Sequence, residues 1–349
     1  MTQHTADRIA VGAVRLRHMV MCRFHTGNNS REVLIFMRTV FMFSGQGAQY
    51  AGMGKDLYQN HSVAKEIFDR ADEVLGYSIK DICFQDEEKL GETEFAQPAI
   101  LTMSIAAMKV LEEQGVRAEM TAGLSLGEYS AYVASGAMEF EEAVALVQKR
   151  GKFMAEAVPS GEGAMYAIIG LDTELVEEAC KEAVDAGLGL AIPANYNAPG
   201  QIVIAGAAKA VEKAAKLAKE KGAKLAVKLK VSGPFHTPML DPAAKKLSVE
   251  LRKLHMKPMH IPVYTNVDAQ LVESEDQIIP ILEKQIVSPV RFSDIIQKMY
   301  DKGADTFIEL GPGKSLCGFV KRTVKGVSIL NVEDCATLDK TMKKLHELV

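Results

Sequence analysis

The stretch Gly123-Leu124-Ser125-Leu126-Gly127 decides how this chain is interpreted. It follows a short apolar run over 120–122 and precedes a helix-forming stretch over 128–133. Glycines on both sides of a serine let the backbone turn sharply from a strand into a helix, which exposes the hydroxyl beside backbone N–H groups. The N-terminus of that helix adds partial positive charge where an oxyanion forms. We therefore expect a strand–turn–helix unit with Ser125 as a nucleophile. The alternative is a simple glycine turn, because the pentad alone is a modest signal.

The composition is that of a globular protein. The chain has 349 residues, 48% of them hydrophobic, which suits one large domain with an addition, or two domains. No apolar run has the length of a bilayer span, and the net charge is −4, so we expect neither membrane nor nucleic-acid binding. The five cysteines are scattered and have neither metal-site nor disulfide spacing. This pattern predicts a soluble, cytoplasmic protein without a metal site.

Residues 1–36 differ from the rest of the chain. They contain five arginines, no lysine and only two acidic residues, without the apolar core and cleavage site of a secretory signal. The run Thr39-Val40-Phe41-Met42-Phe43 directly behind them has the pattern of a first buried strand. We expect 1–36 to be a disordered leader outside the fold, with Met37 as the natural start. An intact leader on protein from the native source would contradict this.

The middle of the chain alternates between strand and helix patterns in the order β-α-β-β-α-β. This order is the ferredoxin-like arrangement and forms a self-contained unit. We therefore predict an inserted ferredoxin-like subdomain over 161–230. It interrupts a large α/β-hydrolase-like catalytic domain with a parallel sheet core, over 37–160 and 231–349. The predicted elements of the insertion are strands over 164–169, 190–195, 201–205 and 224–230 and helices over 173–186 and 207–221.

A nucleophilic serine needs a base, and His236 is the best candidate among eight histidines. It lies in Ser232-Gly233-Pro234-Phe235-His236-Thr237-Pro238, a loop bounded by proline and glycine directly after the predicted insertion. Rigid loops at the rim of an α/β sheet are common positions for catalytic groups. The other histidines belong to the leader or have polar neighbours typical of a surface position.

Five motifs are spread along the chain. They are Gly45-Gln46-Gly47-Ala48-Gln49, the pentad at 123–127, Arg150 in Gln148-Lys149-Arg150-Gly151, His236, and Gln285 in Lys284-Gln285-Ile286-Val287-Ser288-Pro289-Val290. They occur in the order found in the malonyl-CoA:acyl-carrier-protein transacylase family, which the chain resembles over about 39–345. Two further stretches, 195–201 and 309–313, are also similar to that family.

The resemblance implies a two-step transfer of malonyl from malonyl-CoA to the phosphopantetheine thiol of an acyl carrier protein, for fatty-acid synthesis. Ser125 is then the nucleophile and His236 the base. The N–H groups of Leu126 and Gln46 form the oxyanion hole, and a carbonyl of Gln285 orients the histidine in place of a carboxylate. The resemblance implies no permanently bound cofactor and no metal, with malonyl-CoA as a substrate.

The resemblance also assigns Arg150 to the free carboxylate of the malonyl group. A guanidinium suits that role because its planar fork can pair with both carboxylate oxygens. The alternative is an arginine on a helix surface that pairs with a neighbouring acid. Two residues depart from the family pattern. Leu124 replaces the usual histidine before the nucleophile, and Ser44 stands where proline is common. Because a leucine side chain cannot form hydrogen bonds, we expect Leu124 to change the rate of the reaction rather than the function.

Lysines are concentrated on the second helix and last strand of the predicted insertion. Acyl carrier proteins are acidic, so these lysines predict a docking surface. A solvated helix face is an equally good interpretation. The lysines are Lys209, Lys213, Lys216, Lys219, Lys221, Lys224, Lys228 and Lys230.

Three other functions are compatible with parts of the pattern. A trans-acting polyketide acyltransferase would have the same fold and residues. A serine carboxylesterase would use the same elbow, but its expected order is Ser, then Asp or Glu, then His. A non-catalytic carrier-binding subunit is suggested only by Leu124, and the retained Ser125, His236 and Arg150 argue against it.

Overall fold

The computed structural model describes residues 20–26, 29–35, 37–231 and 233–348. Within them the chain has a mixed α/β fold with one parallel and one antiparallel four-stranded sheet, and a two-stranded ribbon. The strands are β1 (Val20–Thr26), β2 (Asn29–Ile35), β3 (Thr39–Phe43), β4 (Met120–Gly123), β5 (Gly163–Ile169), β6 (Ala191–Ala198), β7 (Gln201–Ala207), β8 (Leu225–Lys228), β9 (Thr306–Leu310) and β10 (Ser328–Val332). The helices are α1 (Lys55–Asn60), α2 (Ser62–Leu75), α3 (Ile79–Gln85), α4 (Glu87–Gly91), α5 (Thr93–Glu113), α6 (Gly127–Ala134), α7 (Phe140–Glu156), α8 (Thr173–Asp185), α9 (Ala208–Glu220), α10 (Asp241–Leu251), α11 (Ile278–Gln285), α12 (Phe292–Asp301), α13 (Ser315–Thr323) and α14 (Cys335–Glu347).

The parallel sheet has the strand order β10-β9-β3-β4. Its strands β3, β9 and β4 are buried along their whole length, as expected for short apolar runs covered by helices on both faces. Because the strands are parallel, the loops that follow β3, β4 and β9 leave the same edge of the sheet. This edge therefore brings together chain segments that are far apart in sequence.

The antiparallel sheet has the order β6-β7-β5-β8, and α8 and α9 pack against it around a separate apolar core. The predicted order β-α-β-β-α-β is present. The predicted bounds agree within three residues. The largest difference is in β6, which ends at Ala198 rather than at residue 195, and β8 stops at Lys228 rather than at residue 230.

The predicted leader contains regular structure. Strands β1 and β2 pair in antiparallel register with each other and with neither of the other sheets. Their presence differs from the disorder expected over these residues. The sequence offers a reason, since β-forming residues flank a Gly-Asn pair typical of a tight hairpin turn. That the segment lies outside the catalytic fold stays a prediction, and 1–19, 27–28 and 36 lie outside the described residues.

Several elements of the parallel half were not predicted. They include α1, α3, α4 and β10, which are too short to carry a clear periodic signal, and α14, whose 13-residue amphipathic pattern was overlooked. Among the helices of the described ranges, none combines the length and the apolar character that a membrane crossing requires.

Candidate active site

The turn between β4 and α6 holds Ser125 in a left-handed conformation, with φ of 53°. An L-residue adopts this conformation only when its surroundings hold it there. The glycines on either side permit the turn. A Cβ on Gly127 would lie 2.2 Å from the Phe43 carbonyl oxygen, and one on Gly123 would lie 1.9 Å from the Gly127 carbonyl carbon. The predicted strand–turn–helix unit is present, and the close approach of β3, β4 and α6 requires glycine at both positions.

Asn266 stabilises this turn from the other side. Its Oδ1 accepts a hydrogen bond from the Ser125 N–H at 2.6 Å, and its Nδ2 donates to the Gly123 carbonyl at 2.7 Å. Asn266 is completely buried. The sequence analysis missed this residue, because an asparagine after a short strand is also typical of an ordinary turn.

Ser125 and His236 are in direct contact, with 2.7 Å between Oγ and Nε2. On the other side of the ring, Nδ1 lies 3.0 Å from the Gln285 carbonyl and 3.2 Å from the Ser288 carbonyl. Carbonyl oxygens only accept, so Nδ1 carries the proton and Nε2 is left to accept from the serine hydroxyl. The contact with Gln285 is the one the resemblance implies, and Ser288 adds a second acceptor.

The electrostatic surroundings keep His236 neutral. Burial lowers its pKa, and the nearby Arg150 guanidinium lowers it further, to about 4. A neutral imidazole that accepts from a serine hydroxyl has the protonation state of a general base.

Arg150 is completely buried in α7, which excludes the interpretation as a surface arginine. Its Nη1 donates to Gln97 Oε1 at 2.8 Å. Its Nη2 donates to Gln285 Oε1 at 3.0 Å and lies 3.2 Å from Ser125 Oγ. The guanidinium lies over the Tyr129 ring, with 5.3 Å to its centroid. Among the described residues no carboxylate forms a salt bridge with it, and its Nε makes no hydrogen bond. A buried cation held by neutral amides beside a nucleophile is a site for an anion, because pairing offsets the cost of its desolvation.

The two predicted oxyanion donors have no hydrogen-bond partner within the protein. Neither the Leu126 N–H nor the Gln46 N–H donates a hydrogen bond to another described residue, and Gln46 lines the cleft beside Ser125. The Gln46 side chain is fixed between Thr93 Oγ1 at 3.1 Å and the Gln97 amide at 3.3 Å. The loop after β3 is thereby linked to the residue that also holds Arg150.

Ser125 and His236 open into a cleft of about 420 Å³ between the two sheets. Gln46, Leu124 and Phe319 line it from the parallel half, and Asn195 and Val203 from the antiparallel sheet. Leu124 is half-buried and contributes apolar surface where the family usually has histidine. The two departures from the family pattern change the wall of the cleft and leave the contacts of the nucleophile and base intact.

Ser44, the second departure, also faces the cleft. Its hydroxyl lies 3.0 Å from the Pro312 carbonyl and 3.3 Å from the carboxylate of Glu309. Glu309 is buried, which raises its pKa, and its other oxygen accepts from the Cys317 N–H. The serine therefore hydrogen-bonds to the loop after β9.

Comparisons with known proteins agree with this arrangement. The model of the acyl transferase domain family matches residues 40–348. A malonyl CoA-acyl carrier protein transacylase of Bacillus subtilis is 47% identical over 311 residues, which cover 89% of this chain and 98% of that protein.

Solved structures are similar over the same part of the chain. The crystal structure of a malonyl CoA-acyl carrier protein transacylase from Clostridium perfringens has a TM-score of 0.86 and 48% identity, covering 89% of this chain and 98% of that one. A malonyl-transacylase in complex with a type II polyketide acyl-carrier protein has a TM-score of 0.85 and 41% identity, covering 88% of this chain and 99% of that one.

Proposed function

The chain belongs to the acyl transferase domain family, and on that basis we propose that it transfers malonyl groups from malonyl-CoA to an acyl carrier protein. The transfer runs through a malonyl ester of Ser125 in a ping-pong sequence and supplies extender units for fatty-acid synthesis. The observation that carries the proposal is Arg150, a buried guanidinium with no carboxylate partner among the described residues, 3.2 Å from the hydroxyl of Ser125.

In the first half-reaction Ser125 Oγ attacks the thioester carbonyl, and His236 Nε2 accepts the hydroxyl proton. The carbonyl oxygen becomes an oxyanion between the N–H groups of Leu126 and Gln46. Collapse of this intermediate breaks the C–S bond, and the imidazolium returns its proton to the CoA thiolate. The Gln285 carbonyl keeps the proton on Nδ1 throughout, so that only Nε2 exchanges protons.

The second half-reaction reverses these steps with the carrier thiol. His236 takes the thiol proton, the sulfur attacks the malonyl ester, and Ser125 leaves with the proton that His236 holds. CoA must depart first because both thiols use the same cleft.

Arg150 selects the malonyl group by pairing with its free carboxylate. Removing one partner of a desolvated charge pair costs about 3–5 kcal/mol. At about 1.4 kcal/mol per factor of ten, this corresponds to a preference for malonyl over acetyl of about 10²–10³. Pairing with Arg150 also holds the malonyl ester in a fixed orientation until the carrier thiol arrives, which favours transfer over hydrolysis.

The neighbours of His236 do not favour a serine carboxylesterase. Backbone carbonyls, and no described carboxylate, contact its Nδ1. A trans-acting polyketide acyltransferase would use the same residues, and carrier preference separates it from the fatty-acid enzyme. A non-catalytic role is not favoured, because Leu124 disturbs neither Ser125 nor His236.

The proposal includes the finer organisation of the protein. We propose that the parallel half, 37–160 and 231–349, is an α/β-hydrolase-like catalytic domain. The order β6-β7-β5-β8 with two helices on one face supports a ferredoxin-like subdomain over 161–230. The chemistry above uses only side chains, backbone groups and the thioester substrate, so we propose that no cofactor is permanently bound. We also propose that the protein is cytoplasmic. The cysteines of the described residues are free, as is usual for proteins of that reducing compartment.

Intact mass measured after brief incubation with malonyl-CoA tests the proposal. We expect one malonyl adduct on the wild-type protein, none on Ser125→Ala, and discharge of the adduct by holo carrier protein. Arg150→Ala is expected to lose malonylation about 10²- to 10³-fold while it keeps acetylation by acetyl-CoA. Release of free malonate without a carrier would favour a hydrolase, and no adduct at all would contradict the proposal.

A further inference from the structure

Glu128 is a buried carboxylate that the proposed mechanism does not use. It lies in the first turn of α6, three residues after Ser125, and is completely buried. Among the described residues it forms no salt bridge, and only neutral groups donate to it. Gln285 Nε2 and the Asn266 N–H donate to its Oε2 at 2.8 and 3.1 Å, and the Tyr132 hydroxyl lies 3.3 Å from Oε1. A carboxylate is costly to bury in this way, which points to a role beyond packing.

The contact with Gln285 determines which way that amide faces. A side-chain amide has one accepting and one donating end, and the two orientations differ only in their hydrogen bonds. An ionised Glu128 can only accept, so it attracts the Gln285 NH₂ group. Oε1 of the same amide is then directed at Arg150 Nη2, 3.0 Å away. The reversed amide would place oxygen against carboxylate and NH₂ against guanidinium, and both contacts would be lost.

Gln285 thereby connects Glu128 to three parts of the active site. Its Nε2 also donates to the Ser125 carbonyl at 2.8 Å, its Oε1 accepts from Arg150, and its backbone carbonyl accepts from His236. Among the described residues Arg150 forms hydrogen bonds with neutral groups only, and the Gln285 amide bridges it to the Glu128 carboxylate. Burial raises the pKa of the Glu128 carboxyl to about 7, while the hydrogen bonds from Gln285, Asn266 and Tyr132 and then the field of Arg150 favour its ionised form.

We propose that Glu128 is a positioning residue, whose buried carboxylate orients the Gln285 amide so that Arg150 presents its guanidinium to the carboxylate of the acyl group. The proposal rests on the proposed function. It predicts that Glu128 controls the choice between malonyl and acetyl groups rather than the reactivity of Ser125.

The test compares acylation rate constants, kcat/KM for adduct formation, with malonyl-CoA and acetyl-CoA for the wild type and Glu128→Gln. In the variant a neutral amide replaces the carboxylate, so the Gln285 NH₂ group loses its charged acceptor and keeps only the Ser125 carbonyl, and its orientation toward Arg150 is less firmly fixed. We expect kcat/KM for malonyl-CoA to fall about 10- to 100-fold, the range for a lost hydrogen bond to a charged group. We expect kcat/KM for acetyl-CoA to change less than about threefold, because an acetyl group has no carboxylate that could pair with the guanidinium.

Tyr132→Phe is the matched control. The substitution removes a hydrogen bond to the other oxygen of Glu128, and Tyr132 forms no hydrogen bond with Gln285 among the described residues. We therefore expect kcat/KM for both substrates to stay within about threefold of the wild type. Equal losses for the two substrates in Glu128→Gln would show a purely structural role and overturn the inference, and so would no loss.

A second variant covers the case in which Glu128→Gln does not fold. Gln285→Leu keeps Glu128 and removes the amide. Because this side chain also donates to the Ser125 carbonyl, acetylation should fall as well, but malonylation should fall at least about tenfold further. An equal loss for both substrates would overturn the inference here too. Absence of malonylation in the wild type is a different result, since it overturns the proposed function before any variant is compared.

Discussion

The surroundings of His236 predict an unusual pH dependence. Since burial and Arg150 lower the pKa to about 4, the imidazole stays neutral and able to accept a proton well below its ordinary range. The pH profile of kcat/KM reports the free enzyme, so the acid limb for acylation should fall near pH 4 instead of near 6.5. Acetyl-CoA is the suitable substrate because it has no carboxyl group that titrates in this range.

Arg150→Ala provides the internal comparison for that profile. Removing the cation removes the second cause of the lowered pKa, so the acid limb should move to higher pH. Circular dichroism at each pH checks that the fold persists. This account of the site would be contradicted if the acid limb of the wild-type profile fell near pH 6.5. It would also be contradicted if Arg150→Ala left the position of the acid limb unchanged.

Sequence reasoning identified the residues with distinctive motifs, and the structure places them together. Ser125, His236, Arg150 and Gln285 meet within hydrogen-bonding distance. Glu128 was missed although it stands three residues from Ser125. An acid in the first turn of a helix is ordinarily a surface residue that favours the helix dipole. Only the packing of α6 against neighbouring elements makes it a buried group, and that packing is not encoded locally.

At the scale of elements, the unit β4–turn–α6 depends on contact between backbones. Gly127→Ala would force its Cβ against the Phe43 carbonyl, and backbone atoms cannot give way as a flexible side chain can. We expect a loss of about 1–3 kcal/mol in the free energy of unfolding. Displacement of Ser125 should also slow acylation about 10- to 100-fold.

Gly318→Ala is the matched control for this prediction. Gly318 is an exposed residue of α13, and a Cβ there meets nothing within 4 Å. Alanine favours a helix over glycine by about 0.5–1 kcal/mol, so this variant should be as stable as the wild type or more stable. Denaturant unfolding of both variants checks the pair. Equal stability of Gly127→Ala and Gly318→Ala would contradict the close approach of β3 and α6.

The predictions of helices and strands were most accurate where the periodicity of apolar residues was clear. The range 62–75 was predicted as a helix and is α2, and 306–310 is β9 as expected. Helix α5 was predicted to begin at 96 but begins at Thr93, with Pro98 inside it. The short α3 and α4 were missed because fewer than two turns leave little periodic signal. Their stability comes from packing against α5 and from N-cap side chains.

At the scale of the whole molecule, the two sheets build the site from distant parts of the chain. Ser125 precedes the antiparallel sheet in sequence and His236 follows it, so the pair meets across the whole length of chain that forms this sheet. The sheet also supplies one wall of the cleft. This explains why pattern analysis could predict both sheets but could not give the shape of the cleft between them.

The charges on the surface of the whole molecule bear on how the carrier protein approaches the cleft. The lysines of α9 and β8 are not equivalent in the structure. Lys221 pairs with Glu178 and Glu182, and Lys216 with Glu212, whereas Lys224 and Lys228 are exposed and make no salt bridge with a described residue. The next lysine along the chain, Lys230, lines the cleft. Exposed cations without a salt bridge, which continue along the chain to Lys230 at the cleft, favour the docking interpretation over a solvated helix face, because they leave positive charge for an acidic partner.

Reversing the charge of two of these lysines tests that interpretation. Exposed ion pairs contribute about 0.2–1 kcal/mol each, and Lys224→Glu with Lys228→Glu replaces attraction by repulsion. We expect kcat/KM for the carrier protein to fall about 5- to 30-fold at low salt, with acylation by malonyl-CoA unchanged. The difference should shrink as ionic strength rises, since screening acts on exposed charges. Lys340→Glu with Lys343→Glu on α14, which contributes nothing to the cleft, carries the same change in net charge as a control. If both double variants slow the carrier reaction equally, net charge alone steers the carrier, and the surface of α9 and β8 has no special part in docking.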